Sequence, residues 1–205
     1  MVWDGVSEPD ARLKPEICAA EITVFLDNNI IGDEAPATRF LWQCRDAGWI
    51  RLQLTDVTGT EQLDMPSEKS HLRYEAGQLA EALTPLVLGH SRLGSSVTAS
   101  EEDSERIDRV FRILHPNADP ATTRKNNVRD AMTVAGAARY GGDFLATRDG
   151  NILQKTEPLF EELGIRCSDP ETIESEVRAS IRGVARNRPL TGWPRWVPSW
   201  IPDPE

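Results

Sequence analysis

Two rhythms alternate along the chain. Short apolar runs with β-branched members read as buried strands, and longer stretches with apolar positions three and four apart read as helices. Ile22-Thr23-Val24-Phe25-Leu26 is the first such run. Residues 36–47 follow as a helix, with Phe40, Leu41 and Cys44 on one face and Gly48 as the stop. Trp49 to Leu54 reads as a second strand. Thr58 or Gly59 then opens a helix that Pro66 interrupts, and Leu72, Leu79 and Leu83 line a further helical face that Pro85 ends. Gly89, Gly94, Ser91, Ser95 and Ser96 mark residues 85–102 as a flexible excursion. Ser104 is expected to cap a helix carrying Ile107, Val110, Phe111 and Leu114, which ends at Pro116.

The second half repeats the pattern more clearly. Val128, Ala131, Met132, Ala135 and Ala138 make an amphipathic helix that Gly141-Gly142 stops. Asp143 to Thr147 and Gly164 to Cys167 read as strands. Asp169-Pro170 has the form of an N-cap followed by Pro at the first helical position, opening a helix to about Val184. From Pro189 onward, Trp193, Trp196 and Trp200 stand among prolines, which excludes a regular helix. Strands alternating with helices predict an α/β fold, a three-layer α/β/α sandwich with a mostly parallel central sheet. The chain divides into an N-terminal extension (1–20), a core domain (21–187) with the insertion 85–102, and a Pro/Trp-rich C-terminal tail (188–205).

Composition narrows the class. A chain of 205 residues, 39% hydrophobic and 27% charged, excludes a disordered protein as a whole and a collagen-like or coiled-coil rod. At this length a single domain buries roughly 70% of its unfolded surface and needs no disulfide or structural metal to hold a core. No apolar run approaches the ~18 residues of a membrane helix, and the first residues carry no secretory pattern, so no membrane contact is expected. Cys18, Cys44 and Cys167 are scattered, which suits a reducing, cytoplasmic setting. His71, His90 and His115 are isolated too, leaving little raw material for histidine catalysis or a soft-metal site. The net charge of −10 opposes nucleic-acid binding by the chain as a whole, yet Arg106–Arg129 and Arg178–Arg195 are locally basic.

The acids are placed more informatively than the bases. Asp27 directly follows the first strand, and Asp149 comes two residues after Thr147, at the end of another. Asp130 lies in the first turns of the 127–141 helix, and Glu61 is expected in the first turn of the helix after the second strand. Helices that follow parallel strands begin at the edge where those strands end, and ligands gather there. Four carboxylates from distant segments are therefore expected in one cleft. Crowded carboxylates repel, and some take up protons unless a cation intervenes. A hard divalent ion such as Mg²⁺ removes the conflict, and metal-assisted hydrolysis of a phosphodiester is the chemistry such a site suits. Singly, each acid has an ordinary structural explanation: an N-cap for Asp27, a helix-dipole partner for Glu61 or Asp130, a turn residue for Asp149.

FLDNNI at 25–30, DVTGTEQL at 56–63, NNVRDAMTVAGAARYGGDFLATRD at 126–149 and GIRCSDPETI at 164–173 resemble the successive blocks of a PIN-domain nuclease. The most specific piece is the helical Asp, the small-residue helix, the Gly turn and the strand ending in Thr-x-Asp. The resemblance spans about residues 20–180. It implies that the core domain is a PIN-like, metal-dependent endoribonuclease acting on single-stranded RNA. Asp27, Glu61, Asp130 and Asp149 are then the catalytic carboxylates, with Asp27, Asp130 and Asp149 holding Mg²⁺ or Mn²⁺. Thr147 is expected to add a hydroxyl contact, and Arg124, Lys125 and Arg129 to grip the substrate backbone. The chain departs from the small toxin-type members of the family in its length, its 85–102 insertion, its tail and its acidity.

Other enzyme classes lack their signatures. Position 29 is Asn, where an aspartyl-phosphate phosphatase often repeats Asp. Gly89 to Ser96 has P-loop glycine spacing but no Lys, and no GxSxG occurs. The competing class is a catalytically inactive PIN-fold module that binds or scaffolds through protein or RNA contacts. The Trp/Pro tail is expected to pack on its own chain or on a second copy in a homodimer, with an unidentified protein partner as the other option.

Overall fold

A computed structural model describes residues 20–64, 70–82, 100–120 and 122–187. Its centre is a five-stranded, all-parallel sheet: β1 (Ile22–Leu26), β2 (Ile50–Thr55), β3 (Ala80–Ala82), β4 (Phe144–Ala146) and β5 (Arg166–Ser168), in spatial order β3-β2-β1-β4-β5. Parallel neighbours need crossovers, and helices supply them. These are α1 (Pro36–Ala47), α2 (Asp56–Asp64), α3 (Ser70–Ala76), α4 (Glu101–Leu114), α5 (Lys125–Arg139), α6 (Gly150–Leu153), α7 (Thr156–Leu163) and α8 (Pro170–Asn187). The fold is a three-layer α/β/α sandwich, as the alternation of patterns predicted.

Successive side chains of a strand point to opposite faces, so each strand feeds two cores. Val24 and Leu26 of β1 and Phe144 and Ala146 of β4 join Phe40, Leu41 and Cys44 of α1 and Ile173, Val177 and Ile181 of α8 in one cluster. Phe25 and Leu145 turn the other way, onto Val110 and Phe111 of α4 and Met132 and Ala135 of α5. Burial on both faces explains why the strands read as continuous apolar runs.

Strand order then fixes where the chain can do chemistry. The path runs outward from β1 to β2 and β3, and returns to the other side of β1 to lay down β4 and β5. Connections after β1 and β4 therefore leave in opposite directions and open a crevice at their carboxyl ends. The register pairs Val24 with Phe144 and Leu26 with Ala146, so the two strands end level, and the Asp27 N–H donates to the Ala146 carbonyl (3.0 Å).

Several boundaries differ from the sequence reading. β2 begins at Ile50, because Trp49 is spent closing α1: its N–H donates to the Cys44 carbonyl beside Gly48, which caps the helix at φ 84. α2 begins at Asp56, directly from β2, which moves Glu61 from the first turn to the second. The apolar face drawn through Leu72, Leu79 and Leu83 is not one helix: α3 stops at Ala76, and Ala80–Ala82 is the edge strand β3, paired with β2. The cap of α4 is Ser100, not Ser104: Asp103 N–H donates to the Ser100 hydroxyl and the Ser100 N–H to the Asp103 carboxylate, a reciprocal capping box. Glu101 and Glu102, read as the end of the flexible excursion, are thus the first turn of α4. Residues 85–99 of that excursion, 1–19 of the extension and the tail 188–205 lie outside the described residues. The helices α6 and α7 were not foreseen.

Gly142 lies at the tightest point of the return to β4. A Cβ there would stand 2.7 Å from Phe25 Cδ2 and 2.9 Å from the Ala137 carbonyl oxygen, which the packed sheet cannot yield. Gly142→Ala is expected to cost about 1–3 kcal/mol in urea unfolding. Gly150→Ala, where an added Cβ meets nothing within 4 Å, is expected to change stability by less than about 0.5 kcal/mol. Equal effects of the two would contradict this packing.

Candidate functional site

The crevice between β1 and β4 is built by a short relay of polar groups. Asp27 is the first residue past β1, and its Oδ1 accepts from the Asn28 N–H (2.7 Å). Its Oδ2 accepts from the Thr147 hydroxyl (2.6 Å) and from Asn29 Nδ2 (2.7 Å). Thr147 is fully buried, and its oxygen in turn accepts from the Asp149 N–H (3.0 Å). One hydroxyl therefore ties the aspartate after β1 to the backbone of the aspartate after β4. Asp149 Oδ1 accepts from the Asn151 and Ile152 N–H groups and caps α6. Asn29 completes the seam by accepting from the Arg148 N–H (2.9 Å) through Oδ1.

Asp130, on the second turn of α5, and Glu61, on α2, face the same place from the other layer. All four acids meet electrostatically at Asp130. Burial pushes its carboxyl from the usual 3.8 up to about 7, and the charges of Asp27, Asp149 and Glu61 push in the same direction. Burial also raises Asp27, with Asp149 adding to it, against the hydrogen bonds from Thr147, Asn28 and Asn29. The charges of Asp27, Asp149 and Glu61, acids from three other segments, thus all act on Asp130.

Two nitrogen-bearing side chains border the acids. Arg129 Nη1 stands 3.8 Å from Glu61 Oε1, and its side chain is only 6% exposed. His115, just past α4, places Nε2 3.9 Å from Asp130 Oδ2. Its ring tilts against Phe111 at 5.2 Å between centroids. Burial lowers the His115 pKa, resisted by the charge of Asp149 and a hydrogen bond to the Asn127 backbone.

The residues expected to touch substrate divide. Arg124 and Lys125 are exposed at the start of α5, close in sequence to Asp130. Arg129 is not a surface grip: it faces Glu61 and is buried, as is every residue of α5 from Val128 to Ala137 except the half-buried Asp130. Thr147 uses its hydroxyl inside the protein, as the link between Asp27 and Asp149. Sequence reasoning missed Asn29 and His115. Asn two positions after Asp in a turn was a usable signal for Asn29, whereas nothing local to His115 announces that α4 packs its end against α5.

The donor set is all oxygen at its centre, the kind Mg²⁺ and Mn²⁺ prefer. Among the described residues no group of three or more His, Cys, Asp or Glu side chains is placed to hold a metal ion. Mg²⁺ is commonly held by only one or two carboxylates, with water filling the remaining positions. The raised carboxyl of Asp130 and the buried, unpartnered Nε2 of His115 are the unmet demands that a cation in this cleft would satisfy. Among the described residues no helix is long and apolar enough to cross a membrane. Compared with protein-family models and with curated proteins, the chain matches none.

The crowding has a pH signature. Between about 3.8 and 7 the unfolded chain has lost the Asp130 proton while the folded chain keeps it, so this group's contribution to stability falls as pH rises. Asp27 acts in the same direction. Asp33, Asp103 and Asp169, held below the usual carboxylate range by hydrogen bonds despite burial, contribute stability that is lost only below about 3.8. His115 opposes the trend near its unfolded value of 6.5. The stability of Asp130→Asn minus that of wild type, measured by urea unfolding in EDTA, isolates the Asp130 contribution. It is expected to grow by about 2 kcal/mol from about pH 4 to about pH 7. A flat difference would show that Asp130 is not crowded.

Proposed function

We propose that the chain is a metal-dependent endoribonuclease of the PIN-domain type, hydrolysing phosphodiester bonds of single-stranded RNA. The observation that carries this reading is the convergence of Asp27, Glu61, Asp130 and Asp149 from four separate segments at the carboxyl edge of a parallel sheet. The ordered motifs at 25–30, 56–63, 126–149 and 164–173 support the same family.

When bound, Mg²⁺ or Mn²⁺ would supply an activated water and would screen the phosphate charge. The chain's own residues do the rest. Asp27, Asp130 and Asp149 are the holders of the ion, and the Thr147 hydroxyl with the Asn29 amide fixes the Asp27 carboxylate in place. Glu61, steadied by Arg129, orients the attacking water. The water oxygen bonds to phosphorus as the bond to the leaving ribose oxygen breaks, with no covalent enzyme intermediate. Arg124 and Lys125 hold backbone phosphates at the rim, against an otherwise acidic protein. Cys44 and Cys167 are free, buried thiols, each pushed up to about 12 mainly by burial, in keeping with the proposed cytoplasmic setting.

The test is incubation of the chain with single-stranded RNA and DNA oligomers, with Mn²⁺ or EDTA. RNA cleavage that needs Mn²⁺ and falls to background in Asp27→Asn and Asp149→Asn, both still folded by circular dichroism, is the expected result. Full activity in either variant would overturn the site. Absence of cleavage together with RNA binding unaffected by Mn²⁺ would identify an inert binding module instead. In the same assay, replacing Arg124 and Lys125 by Ala is expected to weaken RNA binding for all sequences alike and to lower the slope of log affinity against log salt by about 1–2.

A further inference from the structure

Asn29 stands where the direction of a side chain matters. An amide donates from one arm and accepts on the other. Its Oδ1 accepts from the Arg148 N–H (2.9 Å), and its Nδ2 donates to Asp27 Oδ2 (2.7 Å) and to Thr147 Oγ1 (3.3 Å). A flipped amide would set two acceptors together at Asp27 and two donors together at Arg148. The Arg148 backbone therefore selects the orientation in which Asn29 supports Asp27.

The side chain of Arg148 holds the same loop a second time. Its Nε and Nη2 donate to Asp33 Oδ2 at 3.0 and 2.8 Å. Asp33 is itself fixed at the start of α1, where Oδ1 accepts from the Ala35 N–H and Oδ2 from the Thr38 hydroxyl. Between these anchor points the loop folds back through turns: the Ile30 N–H donates to the Asp27 carbonyl (3.0 Å) and the Asp33 N–H to the Ile30 carbonyl (3.1 Å). Nη1 and Nη2 also donate to the two carboxylate oxygens of Glu171, at 3.1 and 2.9 Å. One residue thus pins the loop after β1 by backbone and by side chain, and ties it to α8.

We propose that Arg148 is a positioning residue for Asp27: through Asn29 and Asp33 it sets the direction of the Asp27 carboxylate, and Glu171 makes α8 part of that control. Its catalytic meaning rests on the reading of Asp27 as part of a nuclease site, whereas the linkage stands on the hydrogen bonds alone. A guanidinium is needed because its planar fork serves two carboxylates at once, which the single ammonium of lysine does not reproduce.

The test is Arg148→Lys in the full chain, which keeps the charge, followed by NMR in EDTA. The Asn28 N–H, which donates to Asp27 Oδ1 (2.7 Å), reports the carboxylate, and the Asn29 side-chain amide reports the relay. Both signals are expected to shift. Exchange of the Ile30 and Asp33 amides is expected to accelerate by about fivefold, while the amides of β1 and β4 keep their wild-type rates. In the RNA cleavage assay kcat is expected to fall by about tenfold with KM within about twofold. Unmoved Asn28 and Asn29 signals, or equal acceleration at every amide, would overturn the positioning role, since a merely structural residue loosens the whole fold. Shifted signals in a chain whose wild type cleaves no RNA would overturn the nuclease reading and leave the linkage standing. Glu171→Gln, which keeps the side chain's size and removes its charge, decides the matter if Arg148→Lys folds poorly: the same signals moving in the same direction support the linkage, and unmoved signals overturn it.

Discussion

The alignment of β1 with β4 is the constraint on which the crevice depends. The two strands pair in parallel and end level, so the residues just beyond them emerge side by side although they are far apart in the chain. Because the chain's path diverges there, nothing from the sheet itself fills the gap. A buried threonine hydroxyl spans it, donating to Asp27 and accepting from the backbone of Asp149. A hydroxyl is suited to this place because it donates and accepts at once. Valine, of similar shape, would leave both neighbours without their partner.

That seam explains why crowding is tolerated unequally. Asp27 and Asp149 have backbone and side-chain donors of their own, whereas Asp130 approaches from α5 and meets their charge with a distant imidazole as its nearest cationic candidate. The Asp130 carboxyl is pushed up to about 7, first by burial and then by these charges. Stability has been given up at a place where the helix could have carried an asparagine at little cost. Such local expense is typical of a functional site.

Much of this was legible in the sequence, because buried parallel strands announce themselves as apolar runs and their ends fall at predictable places. Asp27 and Asp149 could be located from the end of an apolar run alone. Glu61 was found, but its turn was misplaced, since α2 leaves β2 without any punctuating residue. Arg129 was misread because sequence shows a charge without showing that α5 is enclosed on nearly all sides. β3 was missed for a related reason: three residues at a sheet edge carry too little pattern to outweigh the leucines around them. His115 could not have been found by spacing, since its meeting with Asp130 depends on how two helices pack.

Arg148, beside Asp149, draws three connections together. Its guanidinium donates to Asp33 in the loop after β1 at 2.8 and 3.0 Å, and to both carboxylate oxygens of Glu171 on α8 at 2.9 and 3.1 Å. The clasp lies at the surface, where ions in solution compete with it, while the sheet beneath is held by apolar contact. Ionic strength would then act on the mouth and the floor of the crevice differently, loosening the rim while leaving the strands undisturbed. Width at the entrance becomes a property of the surrounding electrolyte as well as of the fold.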